Sequence, residues 1–290
     1  MRDAGMLLQS GIVDTLIGFR GRRHTAPVPA LREADKAAHH PHGYMFKDVP
    51  PELGEDDDPL ASIDETICKM DAHGIQYGLA NLTDEMTPQA VAKYPDRILP
   101  SLLVDGNRGM DQVREIVRAK EQYNIRAVAM FPAGVHPQIP INDKLWYPIY
   151  AKCIELDLPV FTTVGVPGPR VKMMAQHPEL LDEVCYDLPE LKIVMRHGAE
   201  PWQDLAVKLM LKWPNLYYST SGFAPKYIPK AIIDYANTRG ADKIIYAGYY
   251  PFGIELERTF RELKELPLRD HVWPKFLSEN ARRVLNLPPA

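Results

Sequence analysis

Eight short apolar runs alternate with stretches of helical periodicity along most of the chain, and that alternation admits few folds. The runs are GIVDTLIGF (11–19), QYGLANL (76–82), RILPSLLVD (97–105), IRAVAMF (125–131), LPVFTTVG (158–165), LKIVMRH (191–197), NLYYSTS (215–221) and KIIYAG (243–248). Helical patterns are predicted over 62–74, 87–94, 109–123, 143–156, 178–188, 201–213, 229–239 and 254–265. Strands alternating with helices call for a parallel sheet. Near-continuous apolar strands are those covered on both faces. A doubly wound open sheet is the competitor, but no glycine-rich phosphate loop follows the first run. The 290 residues suit one (β/α)8 barrel, which typically takes about 250. The expectation is a single α/β domain over 1–290, with 19–61 inserted after the first strand as a lid across the C-terminal mouth.

Local signals set some boundaries. Ser62 is expected to cap the first long helix, with Glu65 at the capping-box position and Gly74 as its stop. The acidic stretch GEDDDP (54–59) reads as a solvated turn. A net charge of −4 implies neither nucleic acid nor an anionic membrane as partner. Cys68, Cys153 and Cys185 lie far apart, as suits a reducing cytoplasm better than a disulfide framework. The N-terminus lacks a basic region followed by a long apolar stretch, so no signal peptide is expected. No apolar run reaches the roughly 18–20 residues that span a bilayer. A cytoplasmic protein is the expectation.

Chemistry gathers at the ends of two runs. LKIVMRHGAEPW (191–202) leads through Ile193–Met195 into Arg196, His197 and Glu200; DKIIYAGYYPF (242–252) leads into Tyr249 and Tyr250. Functional groups at the C-terminal ends of barrel strands are how such folds build active sites. His197 is either a core histidine bonded to a carbonyl or an acid–base or ligand group. Glu200 is either a first-turn carboxylate facing a helix dipole or a ligand. Asp14 lies in an apolar strand, where a carboxylate must be paired or metal-bound. Tyr249 is a packed aromatic or a donor to metal. Thr163, Ser219 and Ser221 end other strands and can line a pocket. In the lid, AHHPHGYMFKD (38–48) offers His39, His40 and His42 as metal donors and Tyr44 and Lys47 as substrate contacts; His24 and His136 are weaker loop candidates. Arg170, in VPGPR, can hold a carboxylate or phosphate bidentately, or make a surface ion pair. No Gly-x-Ser-x-Gly elbow and no His-Glu-x-x-His helix is present.

Taken in order, YPDRILPSLLVD, DLPVFTTVG, LKIVMRHGAEPW, PNLYYSTSGFAPKYIP, DKIIYAGYYPF and SENARRVLNL resemble the amidohydrolase-related superfamily, including its aminocarboxymuconate-semialdehyde-type decarboxylases. The resemblance covers most of the chain and implies an amidohydrolase-like (β/α)8 TIM barrel with metal at its C-terminal mouth. The usual ligands depart from the pattern. The His-x-His of the first strand falls on Leu16 and Gly18, the fifth-strand histidine on Thr163, and the eighth-strand aspartate on Tyr249. The sixth-strand histidine is kept as His197. These departures are similar to a smaller branch, the barrel-fold nonheme diiron monooxygenases of platensimycin and platencin biosynthesis.

That branch implies two irons, O2 as co-substrate and substrates carried as coenzyme A thioesters. Phenolate and carboxylate are hard donors compatible with such a site. The expected ligands are Asp14, His197, Glu200 and Tyr249, with His197, Glu200 and Tyr249 catalytic. Tyr44, Lys47, Thr163, Arg170 and Ser221 are expected to contact substrate. The leading expectation is a monooxygenase hydroxylating a bulky apolar, diterpenoid-like acid or its thioester, with electrons from a reductase or ferredoxin. The alternatives are a divergent hydrolase or nonoxidative decarboxylase with one divalent metal, and a metal-free binding or scaffold barrel. The oligomeric state is left open, a homodimer included.

Overall fold

The computed structural model describes residues 11–21, 28–36, 44–46, 49, 51 and 53–289. Within it, β1 (Ile12–Asp14), β2 (Ile75–Asn81), β3 (Ile98–Val104), β4 (Ala127–Met130), β5 (Val160–Thr163), β6 (Ile193–Arg196), β7 (Leu216–Ser219) and β8 (Ile244–Ile245) form one sheet in sequence order. Each neighbouring pair is parallel. The first and last strands also meet. Gly18 N donates to Tyr250 O at 2.8 Å, Tyr249 N to Leu16 O at 3.2 Å and Thr15 N to Tyr246 O at 3.3 Å. The eight strands thus curl into a (β/α)8 barrel. No helix of the described residues is long and apolar enough to cross a membrane.

The crossover helices are α1 (Pro59–Ala72), α2 (Thr87–Lys93), α3 (Met110–Tyr123), α4 (Tyr147–Glu155), α5 (Leu181–Asp187), α6 (Gln203–Lys212), α7 (Lys230–Ala236) and α8 (Leu256–Leu263). All eight fall within or beside the stretches read as helical. The differences have local causes. α1 starts earlier than expected because Asp58, not Ser62, is its cap: the Asp58 carboxylate accepts the Leu60 N–H at 2.9 Å. Pro59 takes the first helical position, where a missing N–H is harmless. Ser62 lies inside the helix, and its hydroxyl donates to the Arg20 carbonyl at 2.6 Å. Part of the acidic stretch is therefore a helix start. α4 begins at Tyr147 rather than 143 because Pro148 belongs to its first turn, and an interior proline would break the ladder.

Two apolar layers hold the barrel. Strand residues such as Ile12, Ile193, Met195 and Tyr218 pack outward with the helices. Val13, Leu79, Leu99, Phe161, Val194, Tyr217 and Ile245 fill the interior. The C-terminal segment, a π-helical turn (Lys275–Glu279) running into α9 (Asn280–Val284), was not legible as a helix. It adds Ala281, Val284 and Leu285 to the interior cluster. Arg282 donates to Gly11 O at 3.3 Å and to Gln76 Oε1 at 2.5 Å, beside the starts of β1 and β2. The N-terminal end of the barrel is thereby plugged, which leaves the C-terminal end for chemistry.

Replacing Asp58 with Ala should cost about 1 kcal/mol through the lost cap. Urea unfolding should show a lower midpoint at an unchanged slope.

Candidate active site

Side chains alternate across a strand, and the interior cluster fixes which parity faces inward. Phe161, Val194 and Tyr217 are interior. Two residues on, Thr163, Arg196 and Ser219 therefore face the interior at the C-terminal ends of β5, β6 and β7. Arg196 was not singled out as a site residue in the sequence, although a guanidinium closing an apolar run at interior parity is a readable signal. Its Nε is buried without a hydrogen-bond partner, as is Ser219 Oγ. Burial pulls the Arg196 pKa down to about 10, and nearby Tyr249 acts in the opposite direction.

His197 follows Arg196 and begins a tight loop. His197, Gly198 and Ala199 all have positive φ (62°, 85° and 51°), an uncommon run outside glycine. Tyr218 anchors the loop from the outer face by donating to Gly198 O at 3.0 Å. Ser221, beyond β7, fixes the imidazole. Its Oγ lies 3.2 Å from His197 Nδ1 and accepts the His197 N–H at 3.1 Å. The ring meets Tyr249 edge-on, with centroids 5.4 Å apart. Tyr249 itself has φ 71°. Burial pushes its phenol up to about 12, with Arg196 drawing it back in part, so the hydroxyl is neutral near pH 7. Phe252 and the lid residue Phe46 flank Tyr249 at 5.6 and 5.4 Å. Gly253 (φ 133°) lets Phe46 lie this close, since a Cβ there would sit 2.4 Å from the Phe46 ring.

The other expected site residues are placed differently. Asp14 does not join the mouth group. Its Oδ1 accepts the Gly248 N–H at 2.9 Å and the Leu16 N–H at 3.0 Å. A Cβ on Gly248 would lie 2.5 Å from Asp14 Oδ2, 2.9 Å from the Tyr246 hydroxyl and 3.1 Å from Leu256 of α8. The carboxylate is therefore tucked beneath α8, where it ties β8 to β1. Glu200 lies within electrostatic reach of the buried Tyr218 phenol, whose pKa it helps raise after burial itself. Its backbone carbonyl accepts the Val166 N–H at 2.8 Å. Arg170 and Tyr44, expected on substrate, engage the lid instead. The Arg170 guanidinium lies 5.0 Å from the Tyr44 ring and 3.5 Å from Asp35, while the Tyr44 hydroxyl donates to Gly168 O. Thr163 donates to Met130 O at 3.3 Å. Lys47, His24, His39, His40 and His42 lie outside the described residues.

These residues do not fit the metal centre that the resemblance implies. Among the described residues no three His, Cys, Asp or Glu side chains are grouped to hold a metal ion. The place a Gly18 side chain would take is filled by Phe252, whose Cζ lies 2.5 Å from that Cβ position. Leu16 and Thr163 supply no imidazole, and Asp14 Oδ1 is committed to two backbone amides, while its Oδ2 is buried without a hydrogen-bond partner.

Two outcomes follow. Gly18→His should destabilise the fold by about 1–3 kcal/mol, because the Phe252 ring must move; thermal unfolding measures it. Burial raises the Asp14 carboxyl from its ordinary 3.8 to about 7, against the Gly248 and Leu16 N–H bonds. Between those values the folded state holds a proton that the unfolded chain has released, so stability is lost as pH rises through about 7. Asp14→Asn keeps the acceptor and has no such slope. Relative to the parent it should gain roughly 3 kcal/mol between pH 5 and pH 8 in urea unfolding.

The chain is similar to several solved barrels. An uncharacterised TIM-barrel protein from Bordetella bronchiseptica shares 23% identity at a TM-score of 0.74, with 95% of this chain and 98% of that one covered. A 4-oxalomesaconate hydratase from Rhodopseudomonas palustris shares 18% at 0.60, covering 95% of each chain. A manganese-bound 5-carboxyvanillate decarboxylase from Novosphingobium aromaticivorans shares 18% at 0.61, covering 85% of this chain and 84% of that one. None of the curated protein sequences matches significantly. At these identities the likeness carries the fold alone and does not show the platensimycin-type branch. The amidohydrolase family model, however, matches residues 27–287, and this chain belongs to the amidohydrolase family.

Proposed function

We propose that the chain is a nonoxidative acid–base enzyme, a lyase or hydrolase acting on an organic acid at the barrel mouth. The observation that carries this reading is the His197 imidazole, held by Ser221 and set edge-on against Tyr249. A positioned imidazole is the side chain best suited to move a proton at physiological pH. Tyr249, neutral up to about pH 12, serves as a hydrogen-bond donor to an oxygen that gains charge. Phe46, Tyr249 and Phe252 wall the mouth with aromatic surface and exclude water from the proton transfer. The decarboxylase and hydratase among the similar structures act on organic acids without oxidation, which supports this class over hydroxylation.

The diiron reading fares less well. Two irons need more donors than the described residues bring together, and the two structures named above with a stated activity are a hydratase and a decarboxylase. A reductase or ferredoxin, a coenzyme A thioester and a homodimer remain expectations from the resemblance alone.

The test is turnover of a panel of hydroxybenzoates and unsaturated dicarboxylates, followed by chromatography under argon and under air. The parent should release CO2 from, hydrate or hydrolyse at least one compound equally in both atmospheres. His197→Asn should lower kcat by about 10²–10⁴, the usual contribution of a positioned acid–base group. Turnover that requires O2 and stoichiometric iron, or that survives His197→Asn undiminished, would falsify the acid–base reading.

A further inference from the structure

We propose that Arg196 and Ser219 form an anion-binding site inside the barrel, which holds one carboxylate of the substrate as an anchor beneath His197 and Tyr249. Thr163 and Arg196 are register partners on β5 and β6. The β6–β7 register pairs Met195 with Tyr218, so Arg196 and Ser219 are next to each other on neighbouring strands, roughly 5 Å apart in backbone spacing. All three face inward, above the apolar layer of Phe161, Val194 and Tyr217. Adjacent strands thus bring a guanidinium and a hydroxyl to one spot, and Arg196 Nε and Ser219 Oγ are both buried without a partner. Thr163 is a small neighbour whose hydroxyl is spent on the Met130 carbonyl.

A buried polar group without a partner is costly, and a buried cation more so. Among the described residues no carboxylate pairs with Arg196: Asp14 is bound to the β8–β1 seam, and the Arg170–Asp35 pair belongs to the lid. With a pKa near 10 the guanidinium keeps its charge at neutral pH. Its planar fork matches a carboxylate with two parallel hydrogen bonds, and the Ser219 hydroxyl can supply a third donor. An organic anion therefore satisfies this site, and a divalent cation is repelled by it.

The charge also says which carboxylate is held. A guanidinium stabilises a carboxylate more than the neutral CO2 it would become, so it opposes loss of the group it grips. The anchored carboxylate is accordingly a handle, and the reacting group lies above it at His197. The substrate class is a bifunctional acid: a carboxylate, a flat apolar body suited to the rings of Phe46, Tyr249 and Phe252, and a second group that accepts or loses a proton. This specification rests on the acid–base reading; the anion site itself does not.

Titration calorimetry of the full chain, stripped with EDTA, tests the site without turnover. Benzoate is the probe, and benzamide its neutral counterpart. Benzoate should bind at least tenfold more tightly than benzamide. Arg196→Gln should weaken benzoate by about 10–100-fold, the range for a lost charged hydrogen bond, and remove the preference. Arg196→Lys should restore part of it, and Ser219→Ala should cost about 3–10-fold. Added Mn2+ should change nothing. If Arg196→Gln does not fold, the parent's preference and Arg196→Lys decide. Equal binding of the two probes, no benzoate binding, affinity unchanged by Arg196→Gln, or binding that appears only with Mn2+ would each overturn the proposal. Benzoate binding without turnover on any acid would sink the acid–base reading and leave the site; turnover without benzoate binding would do the reverse.

Discussion

The mouth of this barrel depends on the seam where β8 meets β1, and at its centre is the Asp14 carboxylate. One oxygen accepts N–H groups from both sides of that seam, Leu16 on β1's extension and Gly248 on β8's. β8 is a two-residue strand, so ladder bonds alone hold it weakly. Asp14 sets where the chain turns after Gly248, and the next residue is Tyr249, whose own N–H returns to Leu16. The position of the phenol over the mouth is in this sense a consequence of a carboxylate beneath it. The cost is a buried acid drawn up to about pH 7, tolerated because two amides bind its charged form.

Around that seam aromatic packing meets an inward-facing guanidinium. Phe252 takes the volume that a Gly18 side chain would need, Tyr249 follows Gly248 beyond β8, and Arg196 is at interior parity on β6. Gly18, Phe252, Tyr249, Phe46 and Gly253 fit together as a group, because glycines at 18 and 253 make room for the rings. A fold shared with decarboxylases and hydratases does not hand over their chemistry, since function resides in the site rather than the scaffold.

The lid acts with the site rather than apart from it. Its Phe46 packs on Tyr249, and its Tyr44 and Asp35 latch onto the loop after β5 through Gly168 and Arg170. Arg170 shows how an exposed arginine near a barrel mouth is readily spent on a neighbouring loop instead of a ligand.

The sequence by itself determined the barrel: period-2 and 3.6-residue patterns are local properties, and eight alternations with Pro and Gly punctuation leave one closed parallel sheet as their common solution. It also placed His197 at a strand end. It could not show that Asp14 faces the helices, because β1 carries apolar residues on both faces, Ile12 as well as Val13, and the pattern alone does not reveal which face is inward. Nor could it show that no carboxylate among the described residues pairs with Arg196, that Ser221 is the residue holding His197, or that Phe252 fills the space beside Gly18. Those are contacts between residues 24 to 234 positions apart. Whether a polar group is paired, buried or left open is decided only when distant strands are brought side by side.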